Sequence, residues 1–267
     1  MILFHYYLIS KKKVLACHIA SQLSCDVSMK SKLQEGNIGE TKALPWLGVL
    51  RVHIHEGDSF KVALTGTILV TKNYCITNAE DIANIPSFLF KREAKAMFIL
   101  NDNATWSSGV KGFVLHPEYE YATYNTIALV ELTDYQDQLK PICWPEYSYN
   151  TKNNLYVVGY TDEHRFLEKI IYKLEYVGQS LCHEFYNRMG FRKDPLHTPT
   201  RYFCASAKNN KKNCVWDNGM ALVSNTSGPW VFVGFGLKGP GCAAPSRFLD
   251  ISSYKPWIES STDVVTY

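Results

Sequence analysis

Short apolar runs with a period of two dominate the chain beyond residue 44. Because successive side chains of a strand point to opposite faces, this alternation predicts strands with one buried face, and the turn-forming residues between runs favour antiparallel connections. Many short strands and few helices indicate an all-β sandwich or barrel. The candidate strands span residues 47–54, 60–70, 74–77, 96–100, 126–132, 155–159, 201–205, 220–224 and 230–236.

Only one segment has helical periodicity. Residues 252–260 begin with serines and carry Tyr254, Trp257 and Ile258 at the spacing of one helix face. Such a stripe predicts a C-terminal α-helix that packs on a barrel.

Composition allows a substantial core and argues against two classes of partner. Of 267 residues, 46% are hydrophobic and 13% aromatic. A net charge of +3 is too mild to indicate nucleic acid as a partner. No apolar run approaches the roughly 18 residues of a membrane span. Lys208, Lys211 and Lys212 form a local basic group, which a solvated loop or a polyanion contact would explain.

Cysteine spacing argues against a zinc site, and two glycosylation motifs favour secretion. None of the eight cysteines forms a CxxC pair or a zinc spacing, and Asn103 and Asn225 begin two N-glycosylation motifs. The export signal stays open, because residues 1–9 are followed by lysines and the apolar core of 14–20 is short. We expect no cofactor and no metal; His53 and His55 share a strand face, which leaves a metal site there as the weaker alternative.

A series of short motifs occurs in the order found in the trypsin and chymotrypsin family of serine proteases (peptidase S1). The motifs are Leu44-Pro45-Trp46, Gly66-Thr67-Ile68-Leu69, His116-Pro117, Pro141-Ile142-Cys143-Trp144-Pro145, Gly159-Tyr160, Phe203-Cys204-Ala205, Gly241-Cys242-Ala243 and Tyr254-Lys255-Pro256-Trp257-Ile258. The resemblance covers about residues 33–260. It implies two six-stranded antiparallel Greek-key barrels, chymotrypsin-like, with the active site in the cleft between them.

The resemblance also implies a division of the chain. An N-terminal segment of residues 1–32 would precede a protease-like domain of residues 33–267. Within that domain the first barrel would lie at about 45–140, the second at about 150–250, and the helix at about 252–260.

Three segments of this chain resemble the segments that carry the catalytic triad in the family, but each catalytic side chain is replaced. Glu80 stands where the family has the histidine base, Thr126 where it has the aspartate, and Asn218 where it has the serine nucleophile. A carboxylate is a weak base at neutral pH, threonine carries no charge, and a primary amide is not a nucleophile for acyl transfer. The resemblance therefore implies a protease fold without protease chemistry.

Replacements extend beyond the triad. Trp216 stands at the glycine of the oxyanion hole, and Lys212 stands at the base of the specificity pocket. Leu237 and Lys238 replace the serine and tryptophan of the substrate-binding strand, and Ser246 replaces a glycine of the pocket wall. These changes imply a cleft that has been remodelled or released from substrate binding.

Family disulfides are kept or lost in pairs. The resemblance implies the bridges Cys182–Cys204 and Cys214–Cys242, and Cys25 is well placed to join Cys143. The bridge beside the catalytic histidine has lost both ends, at Thr65 and Asp81. Cys75 falls within a candidate strand and is expected to be a buried free thiol, whereas Cys17 is either removed with a signal segment or unpaired.

The resemblance is strongest to noncatalytic serine protease homologues of arthropods. It implies a secreted binding or regulatory protein: a cofactor of a protease cascade, a decoy for inhibitors, or an immune or reproductive recognition protein. The expected partner is a protein, not a nucleic acid or a membrane. The alternatives are residual serine-type endopeptidase activity and a heparin-like polyanion-binding module. Cleavage after Lys32 also stays open, because Asp217, the residue that would receive the new amino group, is retained.

Overall fold

Twelve strands form two closed antiparallel barrels in the part of the chain that the computed structural model describes. That part comprises residues 25, 44–56, 59–100, 104–120, 124–145, 154–161, 168–190, 201–207, 219–225, 229–239 and 244–263. The two barrels and the short C-terminal helix confirm the predicted fold class.

The first barrel closes through pairing of its first and fourth strands. Its hydrogen-bonded order is β1-β2-β3-β6-β5-β4. Closure leaves no unpaired edge, which removes the usual liability of an exposed strand. The strands are β1 (Leu47–Glu56), β2 (Ser59–Leu69), β3 (Tyr74–Asn78), β4 (Ala94–Ile99), β5 (Thr105–Leu115) and β6 (Ile127–Leu132).

The second barrel repeats this topology. Its order, read from its first strand, is β7-β8-β9-β12-β11-β10, and β10 pairs with β7 to close it. The strands are β7 (Leu155–Thr161), β8 (Glu168–Val177), β9 (Tyr202–Ala207), β10 (Ala221–Ser224), β11 (Val231–Gly236) and β12 (Ser246–Asp250).

The alternation of apolar and polar residues in the sequence did not predict β5, β8 and β12. In β5 the register shifts between Val110 and Gly112, and such a bulge interrupts the period of two. In β8 and β12 four consecutive residues are buried, 169–172 and 246–249, so both faces are covered and no polar face marks the strand.

Helices are few but more numerous than predicted. The described elements include α1 (Ala79–Ile82), α2 (Ser87–Glu93), α3 (Gln179–Arg188) and α4 (Lys255–Asp263), the last preceded by a 3-10 turn at Ile251–Tyr254. The expectation of a single helix was therefore wrong. In α3 only two side chains are buried, Cys182 and Tyr186. Together with Phe185 and Met189 they have the spacing of one helix face, so this helix could have been predicted from the sequence.

The C-terminal helix packs on the first barrel, as its apolar stripe predicted. The Tyr254 hydroxyl donates a hydrogen bond of 2.7 Å to Asn125 Oδ1. The His116 ring contacts Tyr254 and Trp257 edge to face, with centroid distances of 5.3 and 5.0 Å. These contacts anchor the end of the chain beside the first barrel.

One hydrophobic core is shared by both barrels. A single cluster of buried side chains includes Trp46 and Phe98 of the first half and Trp230 and Phe235 of the second. Each of these four side chains is fully buried. A second cluster, around Phe248, fills the interior of the second barrel. The relative placement of the barrels therefore rests on buried apolar surface.

Two glycines allow the barrels to approach closely. A Cβ atom at Gly66 of β2 would lie 2.2 Å from the carbonyl oxygen of Gly219, and Gly219 itself has a φ of 81°. A side chain at Gly66 would collide with backbone, and one at Gly219 would also be strained by the left-handed conformation. This contact brings the segment that follows Asn218 against the first barrel.

Two disulfides are formed among the described cysteines. Cys25 is joined to Cys143, which ties the N-terminal segment to the connection between the barrels. Cys182 of α3 is joined to Cys204 of β9. Cys214 and Cys242 lie outside the described residues, so that bridge stays a prediction.

Two side chains of the second barrel reach backbone carbonyls of the first. The Tyr160 hydroxyl donates to the Leu47 carbonyl at 3.1 Å, and Lys169 Nζ donates to the Ile99 carbonyl at 3.4 Å. Lys169 is only 5% exposed, and its Nζ lies 5.9 Å from the centre of the Tyr160 ring. Burial lowers the pKa of Lys169 to about 8, because the charged ammonium is removed from water.

Replacement of Lys169 by methionine is expected to make stability less dependent on pH. The pKa of Lys169 is lower in the folded than in the unfolded chain. Burial of its charge therefore lowers the free energy of unfolding by the full amount below about pH 8, and this loss disappears as the pH rises toward 10.5. K169M should be more stable than the wild type at pH 7. That advantage should shrink by about 1.4 kcal/mol per pH unit between about pH 8 and 10.

Urea unfolding at several pH values measures this difference. The matched control is K173M, which removes an exposed lysine from the same strand. Its difference from the wild type should stay within about 0.5 kcal/mol across the range. A pH-independent K169M difference would contradict the buried, easily deprotonated state of Lys169.

Candidate functional site

Glu80 and Thr126, which the resemblance assigns to two positions of the triad, lie together at the end of β3. Asn78, the last residue of β3, is the N-cap of α1, and its Oδ1 accepts a hydrogen bond of 3.1 Å from the backbone N–H of Glu80. Thr126 precedes β6, which pairs with β3. Its Oγ1 accepts a second bond of 3.1 Å from the same Glu80 N–H. Glu80 therefore lies in the first turn of α1, and the side chain of Asn78 caps that helix.

Thr126 completes a small polar cluster with Asn78. Its hydroxyl donates to Asn78 Oδ1, and its backbone carbonyl accepts a bond of 3.3 Å from the Ala79 N–H. Asn78 and Thr126 are each 1% exposed. We call Asn78, Thr126 and the backbone of Glu80 the cap cluster. None of the groups in this cluster carries a charge.

The side chain of Glu80 meets a lysine from the other barrel. Lys238 follows β11, and its Nζ lies 3.9 Å from Glu80 Oε1. The Glu80 side chain is 22% exposed and that of Lys238 is 73% exposed. The preceding residue, Leu237, is fully buried, and its backbone N–H donates to the Arg247 carbonyl at 3.0 Å. An ion pair therefore joins the first turn of α1 to the segment after β11, the two places to which the family resemblance assigns the base and the substrate-binding strand.

Cys75 is the one nucleophilic thiol that the described residues offer near this cluster, three residues before Asn78. It is unpaired and fully buried on β3. Burial raises the pKa of the Cys75 thiol to about 12. Since the thiolate is the reactive form, this cysteine is not a substitute nucleophile.

Several predicted site residues lie outside the described residues. These are Asn218, Trp216, Lys212, Asp217, the basic residues Lys208 and Lys211, and the glycosylation residue Asn103. Their roles stay predictions. Of the others, Ser246 is buried with its hydroxyl 3.4 Å from the Ala244 carbonyl, and Asn225 follows β10 half-buried.

Metal-binding and membrane-spanning features are absent from the described part of the chain. No three described His, Cys, Asp or Glu residues are grouped so that they could hold a metal ion. At the alternative metal site of His53 and His55, the acidic residues near in sequence are Glu56 and Asp58. The side chains of His55 and Glu56, and all of Asp58, lie outside the described part of the chain, so that alternative is not tested. No helix among the described residues has the length and apolarity required to cross a membrane.

Sequence reasoning missed Asn78 and the contact made by Lys238. The run Asn78-Ala79-Glu80-Asp81 carries an N-cap residue followed by acidic residues in the first turn, and this signal was sufficient to predict the cap. No comparable signal exists for the pair of Lys238 and Glu80. They are 158 positions apart in the chain and meet only because the barrels pack together.

Comparison with known proteins identifies the family. The model of the trypsin family matches residues 34–258, so this chain belongs to the trypsin family of serine proteases. It is 26% identical over 255 residues to serine protease filzig of Drosophila melanogaster, a match covering 88% of this chain and 15% of that protein. It is 32% identical over 68 residues to the inactive CLIP domain-containing serine protease A3 of Aedes aegypti, covering 24% of this chain and 14% of that protein. The matches thus span about one seventh of either relative's length.

Loss of the Thr126 hydroxyl should weaken the cap cluster. T126V keeps the shape of the side chain but removes the donor to Asn78 and one acceptor for the Glu80 N–H. We expect a destabilisation of about 1–2 kcal/mol in urea unfolding. The exposed Thr105 of β5 offers a matched control, T105V, with an expected change within about 0.5 kcal/mol. Equal stability of the two variants would show that the cluster does not hold this wall of the cleft.

Proposed function

We propose that this chain is a secreted serine protease homologue without catalytic activity, which acts by binding a protein partner. The observation that carries the proposal is the arrangement at Glu80 and Thr126. The hydroxyl of Thr126 is engaged by Asn78, and the carboxylate of Glu80 faces Lys238. Neither group is arranged to take a proton from a nucleophile and pass it to a leaving group.

The replaced nucleophile supports the same proposal from the sequence. Asn218 stands at the serine position of the family motif, and an amide cannot form the acyl-enzyme intermediate. Trp216 at the oxyanion position would also remove part of the transition-state stabilisation. These losses concern three separate catalytic contributions, so one substitution would not restore the activity.

Binding or regulation is the role that such a scaffold can still perform. The partner would be a protease, an inhibitor, or an immune or reproductive factor, for which the chain would serve as cofactor, decoy or recognition protein. The resemblance to an Aedes protein whose name describes it as inactive supports this direction, over the quarter of the chain that matches.

Secretion is supported by the covalent structure. The bridges Cys25–Cys143 and Cys182–Cys204 form and persist in oxidising compartments. The half-buried Asn225 begins a glycosylation motif directly after β10. Mass spectrometry of the secreted protein, before and after removal of N-linked glycans, tests this part of the proposal.

The purified protein is expected to resist labelling by a fluorophosphonate and to leave arginyl and lysyl ester substrates intact. An active trypsin at the same concentration serves as the positive control, and it should be labelled stoichiometrically. A heat-denatured sample of the protein sets the background. Labelling of the native protein above that background would overturn the noncatalytic assignment.

Affinity capture tests the binding role separately. The immobilised native protein should retain a saturable partner from extracellular fluid of the source animal, and a urea-denatured sample should not retain it. Equal retention by native and denatured protein would contradict a folded binding surface.

A further inference from the structure

Two positively charged side chains lie directly opposite one another on the outside of the first barrel. Arg51 of β1 pairs in register with Lys95 of β4, and Lys95 is exposed whereas Arg51 is half-buried. Opposite residues of an antiparallel pair point to the same face, where like charges repel and lower stability. Neither side chain forms an ion pair with a carboxylate in the described part of the chain. The described residues therefore leave this repulsion without a neutralising partner.

A third cation reaches the same side of the barrel from α2. Lys91 is exposed, and its Cε atom lies 3.4 Å from the position that a Cβ atom would have at Gly112 of β5. The Lys91 side chain therefore lies over β5, the strand that pairs with β4. Like the first two cations, it is paired with no carboxylate among the residues that the structure describes. We call Arg51, Lys91 and Lys95 the basic face.

Two carboxylates on this side of the barrel are already engaged by other cations. Glu93, at the end of α2, accepts a hydrogen bond of 2.7 Å from Arg92 Nε. Glu131 of β6 is joined to Lys111 of β5, also at 2.7 Å. Because each of these acids has a cation of its own, the basic face keeps its positive charges in excess. A surface of this kind is electrostatically complementary to an anionic partner.

An exposed apolar side chain adjoins the basic face. Leu64 of β2 lies directly opposite Arg51, on the other side of β1 from Lys95, and it is 43% exposed. The row across β4, β1 and β2 therefore consists of two cations followed by an apolar side chain. A sulfated polysaccharide would bury little apolar surface on Leu64, whereas a polypeptide carries apolar as well as acidic side chains. The row therefore favours a polypeptide.

We propose that the basic face binds an acidic segment of the protein partner, with carboxylates at Arg51 and Lys95 and an apolar side chain on Leu64. A carboxylate between the two cations neutralises their repulsion, and the Arg51 guanidinium can donate two parallel hydrogen bonds to it. The cost that the opposed charges impose on the free chain is removed in the complex. Departures from local preference of this kind are typical of functional surfaces. This inference rests on the proposed binding function and adds the chemistry of the partner.

The experiment uses the full chain and a blocked acidic peptide, acetyl-Glu-Glu-Leu-Glu-Glu-amide, with acetyl-Gln-Gln-Leu-Gln-Gln-amide as its neutral isostere. Affinity is measured by NMR titration at low ionic strength, where the attraction between charges is least screened. K95M should bind the acidic peptide about threefold more weakly than the wild type, and R51M/K95M about tenfold more weakly. The neutral peptide should bind all three proteins with the same low affinity.

The double variant K140M/K173M supplies a matched control. Both lysines are exposed, and neither lies in a strand of the first barrel. The control makes the same change in net charge as R51M/K95M and should bind the acidic peptide as the wild type does. K95M should also resist urea at least as well as the wild type, because it removes a repulsion. The inference is wrong if R51M/K95M keeps the wild-type affinity, or if the control loses affinity to the same extent.

L64T distinguishes a polypeptide from a polyanion at the basic face. Threonine keeps a side chain suited to a strand but buries less apolar surface. L64T should therefore weaken binding of the acidic peptide about threefold and leave the affinity for a heparin hexasaccharide unchanged. If R51M/K95M weakens heparin binding while L64T leaves the peptide affinity unchanged, the basic face binds a polyanion and the inference is wrong.

Failure of the basic face is distinguishable from failure of the proposed function. If the wild type and R51M/K95M capture the same partner with equal affinity, the binding role stands and the basic face is excluded. If the wild type captures no partner while the peptide affinities change as expected, the basic face stands and the binding role in the animal is contradicted.

Discussion

The hydrophobic core shared by the two barrels is the constraint on which the cleft depends. Trp46 and Phe98 from one barrel and Trp230 and Phe235 from the other belong to the same buried cluster. Burial of large apolar side chains is the dominant favourable contribution to folding, and none of these four residues lies at a catalytic position. The cleft between the barrels is therefore maintained whether or not the residues that line it carry out chemistry.

Glu80 and Thr126 both have structural partners in this protein. Thr126 and Asn78 bond to one another and to the backbone of Glu80, so a site that would need a buried charge is held by neutral groups. A neutral cluster avoids the cost of removing a charge from water. The carboxylate of Glu80 lies 3.9 Å from the Lys238 ammonium group.

Sequence reasoning reached the fold, and it failed where long-range packing decides. The regular strands and the C-terminal helix follow from local periodicity, and the order of the family motifs gave the two barrels. The strand β5 was not predicted because a bulge at Gly112 interrupts its alternation of apolar residues. The strand β12 was not predicted because both of its faces are buried. Glu80 was located from its motif, but its contact with Lys238 requires the relative placement of the barrels, which no local pattern contains.

The central claim is that the loss of protease chemistry extends beyond the triad while the scaffold is kept. The most direct measurement is the esterase activity of the triple variant E80H/T126D/N218S, compared with an active trypsin after both proteins are shown to be folded. We expect no activity above background, because the resemblance puts Trp216 at the oxyanion position and Lys238 lies beside residue 80. Ester hydrolysis by the triple variant at a rate within about a hundredfold of that of trypsin would contradict this claim. In the worst cases, removal of one oxyanion donor alone reduces the rate by more than that.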